Sequence, residues 1–333
     1  MPANLTPDYQ RAEQACREAK TAEEKLAALE EMLATIPKHK GTEKMQADIK
    51  RRIAKLRADQ TVAKKGKHFD PYHIERSGAG QVVLIGAPNV GKSAIVGALT
   101  NAPVVVEPYP FATHAPVPGM AAYEDIQIQL VDMPPYTEHG FPPGMVGAIR
   151  GADVIGIVVD GSAANALEQL ELGLKLLRER KIVPEGSGQA KHERTGADEG
   201  DIVWEKKMLV LLSKTDLASD TDASATLKEL YGHLEFLPIS TRSGENLQEL
   251  LKRIFELLHV VRVYAKPPGK KPDMDQPFVL KAGSTVTDLA REIHRDFAHQ
   301  LKSARVWGNG KYPGQQVPKD YVLEDKDILE IHV

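Results

Sequence analysis

The chain has 333 residues, enough for about two domains at roughly 150 residues each. Hydrophobic residues make up 42% and charged residues 27%, which excludes a wholly disordered chain, and a formal net charge of −3 argues against a generic polyanion binder. A single cysteine, Cys16, excludes an internal disulfide and a cysteine metal cage and points to a reducing, cytoplasmic compartment. No apolar run approaches the ~20 residues that span a bilayer, and residues 1–10 lack the basic-then-apolar pattern of a signal peptide, so no membrane attachment is expected.

Residues 8–36 read as one helix. Thr21 with Glu24 fits a capping box, and Leu26, Leu29 and Leu33 follow at helical spacing. Pro37 ends it, and a second helix from about Thr42 carries Met45, Ile49, Ile53 and Leu56 on one face, so the pair is an αα-hairpin. Residues 38–67 hold eleven Lys and Arg against three acids, a local net charge of +8. That is either a solvated helix face or a docking surface for RNA phosphates. From residue 81 strands and helices alternate. Strands are expected at 81–85, 126–131 (with a hairpin-like entry), 154–159, 208–212 and 236–239. Helices are expected at 94–99, 144–150, 163–180, 222–232 and 246–258. This alternation implies a doubly wound, three-layer α/β sheet. Residues 184–200 read as a surface insertion. After residue 260, strands at 261–264, 278–281, 304–307 and 328–333 with a helix at 287–297 make a small α+β domain. The expected division is 1–76, 77–260 and 261–333.

Gly86-Ala-Pro88-Asn89-Val90-Gly91-Lys92-Ser93-Ala94 holds a complete phosphate-loop motif between a predicted strand and a predicted helix, which is the context the motif requires. Its glycines let successive N–H groups face phosphate oxygens. Lys92 supplies a charge to the β- and γ-phosphates, and Ser93 offers a hydroxyl to Mg²⁺. Asp132, at the end of the 126–131 strand, suits a contact through water to the same ion. Ser213-Lys214-Thr215-Asp216 resembles a guanine-recognition motif. Asp216 can accept from guanine N1–H and N2–H₂, a donor pair that adenine lacks, and the stem of Lys214 can lie along the base. Serine stands where such motifs carry Asn, which is expected to weaken one support of the pocket. Ser240-Thr241-Arg242-Ser243-Gly244-Glu245 resembles the stretch that closes over guanine.

Taken together these motifs resemble the Obg/DRG branch of translation-factor GTPases, most closely the developmentally regulated GTP-binding type. Tyr109-Pro-Phe-Ala112-Thr113 is similar to the family's Tyr-x-Phe-Thr-Thr, and Ala304-Arg-Val-Trp307-Gly308 and Leu323-Glu-Asp-Lys-Asp-Ile328-Leu-Glu-Ile331 are similar to signatures of its C-terminal TGS domain, a β-grasp module. The resemblance implies a P-loop GTPase with GTP and GDP as ligands, Mg²⁺ held by Ser93 and Thr113, and action on a ribosome or RNA. Among residues that resembling potassium-dependent GTPases use, Asn89 either helps hold K⁺ in place of an arginine finger or only braces the loop. On this reading Asn89, Lys92 and Thr113 are the candidate catalytic residues.

Three departures stand out. Asp132-Met133-Pro134-Pro135 replaces the family's Asp-x-Pro-Gly, and Pro135 has no N–H for a γ-phosphate. Ala112 replaces the first Thr of the switch motif, and the 184–200 insertion is much shorter than the extra domain of eukaryotic relatives. Nucleotide binding is expected to survive these changes. Slow hydrolysis follows, and the alternative is a GTP- or GDP-holding module that does not switch.

Overall fold

A computed structural model describes residues 6–19, 22–37, 42–64, 71–100, 115–187, 202–217, 223–308 and 312–332. The chain divides into two units, residues 1–70 and 71–333.

The first unit is helical: α1 (Pro7–Glu18), α2 (Ala22–Thr35) and α3 (Glu43–Lys64). Thr6 caps α1 by accepting from the Tyr9 N–H at 3.3 Å, and its hydroxyl donates to the Thr35 carbonyl at 3.1 Å, tying the start of α1 to the end of α2. Tyr9, Ala12, Leu29, Met32, Ile36, Ile49 and Ile53 form the core. The expected αα-hairpin is present as α2 and α3. The helix expected over 8–36 is instead two helices, because the chain turns to extended backbone at Ala19. The Thr21–Glu24 box is a helix-start signal, and such a signal inside a helical stretch marks a second helix; Thr21 itself lies outside the described residues.

In the second unit, β1 (Gln81–Gly86) is followed by α4 (Lys92–Leu99), β2 (Val117–Tyr123), β3 (Ile126–Asp132), α5 (Met145–Gly151), β4 (Val154–Asp160), α6 (Ala166–Glu179), β5 (Ile182–Pro184), β6 (Trp204–Ser213), a 3₁₀ turn (Thr215–Leu217), α7 (Ala223–Leu230), β7 (Glu235–Pro238) and α8 (Leu247–Leu258). Strand order is β2-β3-β1-β4-β6-β5, with β7 also paired to β6. All pairs are parallel except β2 with β3, so one antiparallel ribbon edges an otherwise parallel sheet. β1 is buried along its whole length, and separate apolar clusters cover the two faces of the sheet, giving the three layers expected.

The sheet order places the carboxyl ends of β1, β3, β4 and β6 side by side, and candidate binding residues lie at the ends of β1, β3 and β6. β8 (Val260–Ala265), β9 (Phe278–Lys281), α9 (Val286–Ile293), α10 (Arg295–Gln300), β10 (Ser303–Trp307), β11 (Gln315–Val317) and β12 (Asp327–His332) complete the chain. Their five strands pair in the order β11-β10-β12-β8-β9, and Val286, Leu289 and Ala290 of α9 pack with Val261, Val263, Val306 and Leu329 of the sheet. The helix expected over 287–297 divides at His294. That residue is extended and caps α10 by accepting from the Asp296 N–H at 3.2 Å. Trp307 is half-buried under Lys266, whose Nζ lies 4.8 Å from the ring centroid.

A side chain at Gly86 would bring its Cβ to 2.6 Å from the Val158 carbonyl oxygen of the neighbouring strand. Gly86→Ala is therefore expected to cost about 1–3 kcal/mol, read as a lowered urea midpoint of the nucleotide-free protein. An unchanged midpoint contradicts this packing.

Candidate nucleotide-binding site

The loop after β1 turns by left-handed backbone at Asn89 (φ 60°) and Gly91 (φ 96°). Three of its carbonyls are satisfied from inside the protein. Gly86 O accepts from Lys92 Nζ at 3.1 Å and from the Tyr136 N–H at 3.3 Å, Ala87 O accepts from Lys92 Nζ at 3.0 Å, and Val90 O lies 2.5 Å from the Ser213 hydroxyl. None of the N–H groups of Ala87, Asn89, Val90 and Gly91 donates to a protein acceptor among the described residues. Carbonyls in and amides out make an anion nest at the start of α4. Pro88 and Ala94 are half-buried, Val90 is buried and Asn89 is exposed. Lys92 is buried, and burial pushes its ammonium down to about 8, opposed by the charge of Asp132.

Ser93 donates to Asp132 Oδ2 at 2.5 Å. Asp132 is buried, which pushes its carboxyl above the ordinary range against the Ser93 hydrogen bond and Lys92, and its Oδ1 has no hydrogen-bond partner among the described residues. A buried carboxylate oxygen without a donor, beside a hydroxyl, fits a hydrated Mg²⁺. Among the described residues no group of three His, Cys, Asp or Glu is arranged to hold a metal ion, so an ion here needs phosphate oxygens as well. Thr113 lies outside the described residues.

After Asp132 the backbone has little to offer a phosphate. The Met133 N–H donates to Leu84 O at 3.2 Å, Pro134 and Pro135 have none, and that of Tyr136 is taken by Gly86 O. The Tyr136 side chain is fully buried, donates to the Gln169 carbonyl at 3.0 Å and meets Phe141 edge-on at 5.8 Å.

The second group of candidates lies beyond β6. The Ser213 hydroxyl reaches both Val90 O (2.5 Å) and Val159 O (3.0 Å), its one proton serving either. Through these contacts the short side chain ties the phosphate loop to β4 and β6. Lys214, at φ 58°, places Nζ 2.5 Å from Asp160 Oδ2. Burial raises the Asp160 carboxyl, but the hydrogen bonds from Lys214 and Ser162 outweigh it and leave it below the ordinary range. Asp216 Oδ1 accepts from the Ser240 hydroxyl at 2.6 Å, and Arg242 Nη1 lies 3.8 Å from Oδ2. Ser240 Oγ in turn accepts from the N–H groups of Arg242 and Ser243, each at 3.2 Å. Thr241 is exposed, and Thr215 donates to Glu245 at 2.9 Å. The two motifs, 24 residues apart at Asp216 and Ser240, thus meet in one pocket wall. Asp160 and Gln169 were missed by sequence reasoning. Gln169 accepts the Asp160 N–H at 2.9 Å while its carbonyl holds Tyr136, and a polar residue on a helix gives no signal of that.

Residues 81–184 match the family model described as 50S ribosome-binding GTPase, and residues 261–333 match that of the TGS domain. A GTP-binding protein of Methanocaldococcus jannaschii is 31% identical, over 93% of this chain and 92% of its own length. This chain belongs to the Obg/DRG family of GTP-binding proteins. Developmentally-regulated GTP-binding protein 1 of Xenopus laevis is 28% identical over 92% of this chain and 98% of its own. Among solved structures, a GTP-binding protein of Pyrococcus horikoshii (TM-score 0.50, 18% identity, 76% of this chain and 99% of that one) shares the fold. The YchF GTPase of Schizosaccharomyces pombe (TM-score 0.51, 14% identity, 78% and 99%) does so too. As an Obg/DRG protein the chain is a GTP-binding P-loop GTPase with a TGS domain. No helix among its described residues is long and apolar enough to cross a membrane.

Ser213→Ala leaves a buried carbonyl without its donor and is expected to lower stability by about 1–3 kcal/mol, measured by urea unfolding of the nucleotide-free protein. Equal midpoints for the two proteins contradict the tether.

Proposed function

We propose that this chain is a Mg²⁺-dependent GTPase of low intrinsic rate that acts on a ribosome or RNA. The observation that carries the chemistry is the convergence of an anion nest, the Lys92 ammonium and the Ser93–Asp132 pair at one end of the sheet, with Asp216 and Ser240 beside it. Lys92 leaves the Gly86 and Ala87 carbonyls to meet β- and γ-phosphate oxygens. Ser93, with Thr113 and the orphan oxygen of Asp132, would hold the magnesium ion, which supplies neutralisation of phosphate charge. Asp216 exchanges the Ser240 hydroxyl for guanine N1–H and N2–H₂, and Lys214, fixed by Asp160, lays its stem along the base. Ser240, Thr241 and Arg242 close the base edge. No Gln follows Asp132 to orient water, so turnover is expected at the low end of the roughly 10⁻⁴–10⁻² s⁻¹ of unassisted small GTPases. Asn89, exposed beside the nest, is the residue that K⁺ would use.

The macromolecular partner rests on charge. Helix α3 exposes Lys44, Lys50, Arg51, Arg52 and Lys55, inside the segment whose net charge is +8. Counterion release from RNA phosphates favours such a face. The description of the GTPase family model, which names the 50S ribosome, points the same way.

A second reading is favoured by the stretch after Asp132. With Pro134 and Pro135 lacking N–H and that of Tyr136 occupied, the chain resembles a module that holds GTP or GDP without switching. Cleavage at Glu124 and Glu138 by a Glu-specific protease separates the two. Protection that depends on GDP against a non-hydrolysable GTP analogue supports the switch, and identical patterns support the module.

Asp216→Asn removes the charged acceptor, so GTP affinity is expected to fall about 100-fold or more, with xanthosine nucleotides gaining in its place. Unchanged GTP binding in that variant defeats the guanine assignment. Turnover is expected to be faster in KCl than in NaCl, and equal rates exclude a role for K⁺ at Asn89.

A further inference from the structure

The β2–β3 ribbon joins the nucleotide site to the TGS domain. At one end Val117 pairs with Asp132, the candidate magnesium residue, and Val117 lies four residues beyond Thr113. Six residues further along β2, Tyr123 pairs with Ile126 and the two-residue turn Glu124-Asp125 reverses the chain, about 20 Å away at ~3.3 Å per residue. Glu124 holds left-handed backbone there (φ 49°). β2 is the edge strand of its sheet, so its partner in the sheet is β3.

The turn is gripped from the TGS side by one buried arginine. Arg262 of β8 is 3% exposed. Its Nη1 donates to Asp125 Oδ1 at 2.7 Å and to Glu124 Oε2 at 2.5 Å. Its Nη2 and Nε donate to the two oxygens of Asp325 at 2.6 and 3.0 Å, and its backbone N–H donates to Asp325 Oδ1 at 2.8 Å. The guanidinium carbon lies 4.8 Å from the ring centroid of Phe255 on α8, itself 5.3 Å from the Tyr123 ring. Tyr264 donates to Asp125 Oδ2, and Lys326 Nζ is 3.0 Å from Glu124 Oε2.

Several features separate this cluster from an ordinary surface ion pair. The planar fork of arginine is used on both edges, by carboxylates of two different domains. Removing the turn carboxylates leaves an under-compensated buried charge, so the contact is made or broken as a whole. A packed ribbon does not bend continuously between its ends. A displacement of the turn is therefore transmitted along the register to Asp132.

We propose that Arg262 is a positioning residue for the nucleotide site, and that the TGS domain sets the placement of Asp132 and of the chain entering β2 by holding the Glu124-Asp125 turn. The inference rests on the GTPase reading above. A partner that draws the TGS domain away loosens the far end of the ribbon, and by linkage the nucleotide bound at the near end sets the strength of the clamp.

The test uses the full chain. In Glu124→Gln/Asp125→Asn, which keeps the size of both side chains but removes their charge, mant-GDP is expected to dissociate in Mg²⁺ at least about fivefold faster than from the wild type, the lower end of ordinary coupling. Arg262→Lys, which keeps the charge and loses the fork, is expected to fall between them. In the wild-type protein, which needs no substitution, hydrogen exchange at the Glu124-Asp125 turn and in β8 is expected to differ between GDP and a magnesium-bound GTP analogue. That difference disappears in the double variant. A clamp that is only structural leaves mant-GDP release unchanged and protects β8 equally in both nucleotides, and either result overturns the proposal. A wild-type chain that releases and exchanges as stated but discriminates poorly between guanine and adenine overturns the guanine reading alone. One that binds no mant-GDP overturns both.

Discussion

The carbonyls of the phosphate loop govern the rest of the site. A loop can present a row of N–H groups to an anion only if its carbonyls point elsewhere, and buried carbonyls need donors. Here the donors come from three directions: Lys92 on the following helix, Tyr136 after β3, and Ser213 at the end of β6. Lys92 adjoins Ser93, Ser213 adjoins Lys214, and Tyr136 follows Asp132 by four residues. Satisfying the loop therefore also brings together around it the residues proposed for the magnesium ion and the base. Gly86 is small where it must be, because β4 passes within a contact of its Cα.

That same economy is what supports the proposed reading of a chain that holds its nucleotide without switching. The Tyr136 N–H that closes onto Gly86 is the first one available after two prolines, and its ring is locked between α6 and Phe141. In the conformation described, the segment after Asp132 belongs to the core rather than to a phosphate. On the proposed coupling, it is the other flank of Asp132, the β2–β3 ribbon, that responds to the nucleotide. The ribbon ends in the Arg262 cluster, so the two domains share a mechanical element.

Much of this was legible in the sequence, for physical reasons. The phosphate loop shows itself because glycine, lysine and a hydroxyl must recur at fixed spacing, and the buried parallel strands β1, β4 and β6 are apolar on both faces. β2 was read only as an entry to a hairpin, because Pro118 and Gly119 argue against a strand; an edge strand tolerates both. β5 and β11, three residues each, are too short to carry a period. The two carbonyls that the Ser213 hydroxyl reaches, Val90 O and Val159 O, lie 123 and 54 residues away, and the sequence gives no sign of either. The Arg262 cluster was invisible because its partners lie 63, 137 and 138 residues away, and charge in a sequence carries no address.

The central claim is that one end of the sheet binds a guanine nucleotide through a carbonyl-anchored nest and the Asp216 carboxylate. Direct titration of the nucleotide-free chain with mant-GTP and mant-ATP in the presence of Mg²⁺ tests it. The account predicts tight binding of the guanine nucleotide, with affinity for the adenine nucleotide weaker by at least about 100-fold, because a site built to accept from N1–H and N2–H₂ rejects a base that lacks that donor pair. Equal affinities, or no saturable binding of mant-GTP, would contradict it.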